Sequence, residues 1–179
     1  MVVRRAKAYS KRQITSNTRR SKIKSKNYIK AVPNQKVTKF NMGDVRSFNK
    51  GVYKNFITIY SLMTLQIRDM ALESARQYLN NQLTRLLTND YYLACKPYPH
   101  QVMRENKTFS GGSKGERVQS GMAHSFGTTM GRSAVVKAGN PVFIIGFSDK
   151  KHIPAIRELC RSASAKLPCK TQVIYEEVK

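Results

Sequence analysis

Apolar positions along the chain recur with two different periods. Lys54–Leu62, KNFITIYSL, gathers Phe56, Ile57, Ile59 and Tyr60 into a short β-branched and aromatic run, which predicts a strand. Ile67, Met70, Ala71, Ser74, Ala75 and Tyr78 then recur at helical spacing, with Arg68, Asp69, Glu73, Arg76 and Gln77 elsewhere on the wheel. They predict an amphipathic helix of about 16 residues from near Leu65, ending from Asn80-Asn81. Val37–Phe40 predicts a short strand closed by a turn at Asn41-Met42-Gly43. Tyr91–Lys96 is a further strand, ended by Pro97 and Pro99, and His100–Arg104 continues as an extended segment. Ser133–Lys137 and the very apolar Val142–Phe147 are strands joined by a turn at Ala138–Pro141.

Ile153, Ile156, Cys160, Ala163 and Leu167 mark one face of a second helix, with Pro154 in its first turn and Pro168 as its stop. Thr171–Tyr175 is the last strand. The order is arm, β, β, α, β, long loop, β, β, α, β. It predicts an α+β fold in which a mixed or antiparallel sheet carries two helices, with the loop extending from paired strands.

Between the middle strands the periodicity fails. Residues 104–131 carry Gly111, Gly112, Gly115, Gly121, Gly127 and Gly131 among Arg104, Lys107, Lys114 and Arg117, with Arg132 just beyond and only Glu105 and Glu116 opposing them. A loop this long in a compact domain is functional or disordered. Glycine lets backbone approach a partner closely, which suits an anionic polymer. A solvated hairpin tip is the competing reading.

Charge changes the picture. Against 10 acids the chain has 33 Lys and Arg, a net charge of +23. Residues 1–43 hold 13 of the 33 and no acid. That segment lacks a sustained period and is predicted to order only on a polyanion. It divides the chain into a basic arm, 1–36, and a single domain, 37–179, containing the loop. Candidate phosphate-binding residues in the arm are Arg4, Arg5, Lys7, Lys11, Arg12, Arg19, Arg20, Lys22, Lys24 and Lys26, with Tyr9 among them to stack on a base or to pin the arm. A membrane surface would need a basic amphipathic helix with bulky anchors, and no apolar run is long enough to span a bilayer. The N-terminus lacks the apolar core of a secretory signal, and its lysines argue against a mitochondrial presequence.

Nucleotide and catalytic chemistry find no footing. Gly111-Gly112-Ser113-Lys114-Gly115 places its lysine before the last glycine and opens no helix, so it fails the phosphate-loop pattern. No nucleophile sits in an elbow, and Cys95 with His100 makes no dyad. Cys95, Cys160 and Cys169 form no CxxC, and with His100, His124 and His152 scattered no zinc spacing appears. The chain is expected to hold no catalytic residues, metal or cofactor and to take no small-molecule substrate. From the residues alone, a basic RNA-binding chaperone or an enzyme acting on RNA stays open.

Several motifs carry a family resemblance. Arg5-Ala6-Lys7-Ala8-Tyr9, Pro33-Asn34-Gln35-Lys36 with Phe40 and Gly43, and Ala71-Leu72-Glu73-Ser74-Ala75-Arg76 are three of them. Stronger are Pro97–Lys107, PYPHQVMRENK, and Arg117–Met122, RVQSGM, followed by Phe126-Gly127 and Gly131. In order and spacing the chain resembles the universal large-subunit ribosomal protein family called L-sixteen in bacteria and L-ten-e in archaea and eukaryotes, closer to the second branch. Ala123-His124-Ser125 and Thr128 depart from the family pattern by losing two cations, for which Lys114 is the nearest substitute.

The resemblance implies a non-catalytic, cytoplasmic constituent of the large ribosomal subunit. Its partners would be large-subunit rRNA, A- and P-site tRNA and neighbouring ribosomal proteins. The loop would reach toward the peptidyl transferase centre and support tRNA accommodation. Its residues would be Arg104, Asn106, Lys107, Gly111, Gly112, Lys114, Arg117, Gln119, Gly121, Met122 and Arg132. The arm would thread into rRNA.

Overall fold

The computed structural model describes residues 5–11, 29, 31–105 and 128–178. The expected α+β class is found, as two antiparallel sheets rather than one. Strands β1 (Asn41–Gly43), β2 (Asn55–Ser61), β4 (Tyr91–Cys95), β7 (Pro141–Phe147) and β8 (Thr171–Glu177) form the larger sheet, in the order β1-β4-β7-β2-β8. Strands β3 (Leu65–Arg68), β5 (Gln101–Glu105) and β6 (Thr128–Val136) form the smaller one, with β6 central. Three helices accompany them: α1 (Val45–Asn49), α2 (Asp69–Leu87) and α3 (Ile153–Ser164).

Strand register decides which side chains meet the helices. Met42 lies opposite Leu93, Leu93 opposite Ile145, and Ile57 opposite both Ile145 and Tyr175. Because side chains alternate along a strand, this whole row faces one way. It packs on Leu72, Ala75, Leu79 and Leu83 of α2 and on Ile156, Cys160 and Ala163 of α3. Helix α2 also covers Leu65 and Ile67 of β3 and Ala134 and Val136 of β6. One helix thereby joins both sheets. The opposite face of the larger sheet carries a smaller cluster, where Phe48 of α1 stacks on Tyr92 at 3.8 Å and meets Phe56 edge-on at 6.2 Å. Asp44 caps α1, its Oδ1 accepting from the Arg46 and Ser47 amides at 3.0 Å each.

Several boundaries differ from the sequence expectation. Leu65–Arg68, assigned to the first helix, is a strand buried on both faces. Its ladder to β6 and the Ser10 carbonyl, which accepts from the Gln66 amide at 3.0 Å, override helical spacing. The helix begins at Asp69, whose Oδ1 accepts from the Met70 amide at 2.8 Å. It runs through Asn80-Asn81 to Leu87, because Leu79 and Leu83 continue the buried stripe. Asn80 is held rather than disruptive: its Oδ1 accepts from the Tyr91 hydroxyl at 3.0 Å.

The first strand is Asn41–Gly43, the expected turn, and Val37–Phe40 precedes it as irregular extended chain. The five-residue α1 was not foreseen. Strand β6 begins at Thr128, five residues before the expected Ser133, because its ladder to β5 carries into what was read as loop, while the remaining strands and α3 fall within a few residues of expectation.

Two glycines separate strain from crowding. Gly43 (φ +78°) and Gly51 (φ +72°) both occupy the left-handed region. A Cβ on Gly43 would overlap the Tyr91 carbonyl, whereas one on Gly51 meets nothing. Gly51→Ala should cost about 1 kcal/mol through backbone strain alone. Gly43→Ala should cost distinctly more, because β1 must leave β4. Urea unfolding of the two variants side by side measures the difference; equal losses would mean that β1 contributes nothing.

Candidate nucleic-acid interface

The N-terminal end of α2 gathers three stretches that are distant in sequence. The first is Arg5–Lys11. Its turn is closed by the Ala8 amide donating to the Arg5 carbonyl at 2.9 Å and by Ser10 Oγ donating to the Lys7 carbonyl at 2.8 Å. Ser10 then receives the Gln66 amide, which seats the turn on the outer edge of β3. Tyr9 takes a left-handed φ of 65° and lies beneath the Arg68 guanidinium, 5.8 Å from its ring centroid. Of the two roles expected for Tyr9, pinning the arm is the one this geometry displays. Arg5, Lys7 and Lys11 stay exposed.

The second stretch is residues 33–42, laid along α2. The Lys36 amide donates to Asp69 Oδ2 at 3.2 Å, and the Thr38 amide donates to Glu73 Oε2 at 3.3 Å. Glu73 also accepts from Arg76, whose Nε and Nη2 lie at 2.7 and 2.6 Å, and from Gln77 Nε2 at 2.8 Å. The remaining Arg76 Nη1 reaches Met42 Sδ at 2.9 Å. Both charged side chains are buried. The Arg76 guanidinium, helped by Gln77 and the Thr38 amide, outweighs desolvation and holds the Glu73 carboxyl down at about 2. The same pairing raises Arg76. Sequence spacing had set Asp69, Glu73 and Arg76 on the polar side of the wheel, yet all three are internal. An i,i+3 Glu–Arg pair was the available signal, but it equally fits a surface ion pair.

The third stretch is the root of the long loop. Strands β5 and β6 pair from Gln101 opposite Ser133 to Glu105 opposite Thr128, with a bulge between Met103 and Arg104. Arg104 is half-buried on β5, opposite Thr129. Arg132, assigned from sequence to the loop contacts, lies on β6 and donates from Nε to the Pro33 carbonyl at 2.7 Å. It ties the loop's root to the second stretch.

Of the candidate residues, Arg5, Lys7, Tyr9, Lys11, Arg104 and Arg132 are therefore placed around one end of α2. Arg4, Arg12, Arg19, Arg20, Lys22, Lys24 and Lys26 lie outside the described residues. So do Asn106, Lys107, Gly111, Gly112, Lys114, Arg117, Gln119, Gly121 and Met122. Sequence reasoning passed over Lys36 and Lys39, exposed cations on the chain that runs along α2. Among the described residues the ion pairs engage Arg76, Lys150 and Arg161, and none engages these lysines. Burial pushes the Cys95 and Cys160 thiols up to about 12, so both pack as small apolar groups rather than nucleophiles.

The sequence model of ribosomal protein L16p/L10e matches residues 14–174. The chain belongs to this family. Its relatives include the large ribosomal subunit protein uL16 of Metallosphaera sedula, 37% identical over 159 residues, covering 86% of each chain. That of Thermofilum pendens is 35% identical over 156 residues, 85% of this chain and 88% of the relative. That of Pyrobaculum aerophilum is 33% identical over 177 residues, 98% and 94% respectively. The family resemblance noted in the sequence is thus established, toward the archaeal branch. A member of this family is a constituent of the ribosome and not an enzyme, and it works in the cytoplasm as part of that particle.

The lowered pKa of Glu73 sets a pH dependence. Its carboxyl sits near 2 in the folded chain against an ordinary 4.5, so the stabilisation is complete above 4.5 and is lost as pH falls from there toward 2. Glu73→Gln should remove that slope from a plot of unfolding free energy against pH. At neutral pH it should cost about 3–5 kcal/mol, because Arg76 is left buried without its counter-charge. An unchanged slope would mean that the pair does not hold residues 36–42.

Proposed function

We propose that this chain is a structural protein of the large ribosomal subunit whose arm and α2 end bind rRNA phosphates and whose loop extends toward tRNA. The observation that carries this reading is the convergence at the α2 N-terminus. Exposed Arg5, Lys7, Lys11 and Lys36 share that end with the root of a hairpin whose connecting residues, 106–127, are rich in glycine and cations. Lysines and arginines of this kind position a protein on the phosphate backbone without reading sequence. Residues 1–36 form the arm and 37–179 the domain, divided by function rather than by contact, since Lys36 and Thr38 both bond to α2.

The loop would lie near A- and P-site tRNA at the peptidyl transferase centre and assist accommodation. Catalysis there would need no protein group. The names of the archaeal relatives, large ribosomal subunit protein uL16, support the same assembly.

Two measurements test the proposal. Cosedimentation after a moderate salt wash should find the chain near one copy per large subunit, with affinity that falls steeply as salt rises. Deletion of Ser110–Lys114 should leave that occupancy intact while slowing tRNA accommodation several-fold in rapid-mixing assays. Wild-type rates in the deletion subunits would overturn the role given to the loop, and failure to cosediment would overturn the assembly itself.

A further inference from the structure

A cavity of about 410 Å³ lies between β1 and α2, lined by Lys39, Asn41, Gly43, Arg76 and Asn80 among others. Arg76 and Asn80 place it about two to three helical turns beyond Asp69, away from the end where the arm converges. No carboxylate lines it. What lines it is a set of hydrogen-bond donors, and two features of the fold aim them.

The first is that tyrosine hydroxyls hold both asparagines from behind. Tyr92 is buried, and its hydroxyl donates to Asn41 Oδ1 at 3.1 Å, the acceptor that a buried hydroxyl requires. The Tyr91 hydroxyl donates to Asn80 Oδ1 at 3.0 Å. With each Oδ1 engaged, the Nδ2 group is what each asparagine offers the cavity. Asn41 is exposed and Asn80 half-buried, so both are within reach of a guest.

The second is the register of β1. The Phe40 carbonyl accepts from the Cys95 amide at 2.7 Å, and the Asp44 amide donates to the Tyr91 carbonyl at 2.8 Å. Bonding alternates along an antiparallel strand, so the even-numbered positions bond to β4 and the amides of Asn41 and Gly43 face the open edge. Strand β1 is outermost, and no other strand among the described residues takes those amides. Lys39 is exposed and adds a cation, and Arg76 Nη1 rests only on the Met42 sulfur, a weak acceptor.

Converging neutral N–H groups beside cations, with no carboxylate opposing them, suit a compact oxyanion with several acceptor oxygens. We propose that this cavity seats one backbone phosphate of large-subunit rRNA, held in a fixed position by amides as well as by charge. The inference rests on the ribosomal reading above and adds a built site on the domain to the exposed cations of the arm.

The test is a double variant, Asn41→Asp with Asn80→Asp. Each aspartate still accepts from its tyrosine hydroxyl but removes the NH₂ donor and adds a negative charge. Large subunits assembled in cells with the wild-type chain or the variant would be treated with ethylnitrosourea, which ethylates accessible phosphates. Occupancy is checked first by cosedimentation, whose failure for the wild type would sink the ribosomal reading and not the cavity chemistry. At full occupancy, one rRNA phosphate protected in wild-type subunits should become several-fold more reactive in variant subunits. Identical ethylation patterns would overturn the proposal. If the variant does not join subunits, inorganic phosphate titrated into the purified ¹⁵N-labelled full chains decides. It should shift the Asn41 and Gly43 amide resonances of the wild type and not those of the variant, and no shift in the wild type would overturn the proposal. Phosphate that shifts those resonances while ethylation stays unchanged would assign the cavity to a free anion and overturn the rRNA source.

Discussion

A carboxylate shielded from water needs several donors, and Glu73 collects them from Arg76 and Gln77, one turn further along its helix, and from a segment 35 positions earlier in the chain. Burying such a charge is unfavourable unless its lone pairs are filled and its partner is itself satisfied. Here the Arg76 fork fills two acceptor sites and its last nitrogen rests on Met42. The pair therefore does more than neutralise charge. It fixes Thr38 against α2 and holds Met42 where β1 can pair with β4. Upstream, Asp69 does the same for Lys36, and Arg132 for Pro33. A segment with no ladder of its own before Asn41 is held by side-chain acceptors and donors instead.

Much of this architecture was legible in the sequence where burial follows periodicity. The strands at Asn55–Ser61 and Pro141–Phe147 and helix α3 show their environment directly, because one residue type serves one face. Legibility failed where polar residues go inside. Gln66, Arg68 and Asp69 are buried, so the β3–α2 junction carries polar letters in a core position and reads as a helix surface. Ser133 Oγ donating to Gln66 Oε1 at 2.8 Å shows how such a strand satisfies itself. That partner is 67 residues away, and no local pattern announces it. The same holds for Glu73 and Arg76, whose burial depends on Thr38 and Met42, in a stretch that read as a short strand and turn with nothing to mark its contact with the helix.

The candidate interface divided along similar lines. Which residues carry charge was plain from composition, and the family motifs drew attention to Arg5–Tyr9, Pro33–Lys36 and the loop root separately. That these meet at one end of α2 is a tertiary fact. Tyr9 illustrates the difference: among cations it could have faced a base, yet Arg68 lies over its ring and Ser10 beside it joins the edge of β3.

Where the acids go explains how a net charge of +23 becomes a directed field rather than a uniform one. Asp69 and Glu73 sit closest to the arm, but both are buried and accept from the backbone amides of the chain they hold. Asp149, Glu158, Glu176 and Glu177 are exposed, but they belong to the turn after β7, to α3 and to β8, the edge of the larger sheet farthest from β1. Two of them are occupied by Lys150 and Arg161. Among the described residues, acidic charge is thus internal at Asp69 and Glu73, beside the arm, and surface-borne on α3, β8 and the turn after β7. A polyanion approaching the molecule meets unopposed Arg5, Lys7, Lys11, Lys36 and Lys39 at the α2 end, and steering at long range favours that orientation before any contact forms. The carboxylates that hold residues 36–38 by their backbone amides therefore leave the side chains of Lys36 and Lys39 free to face outward.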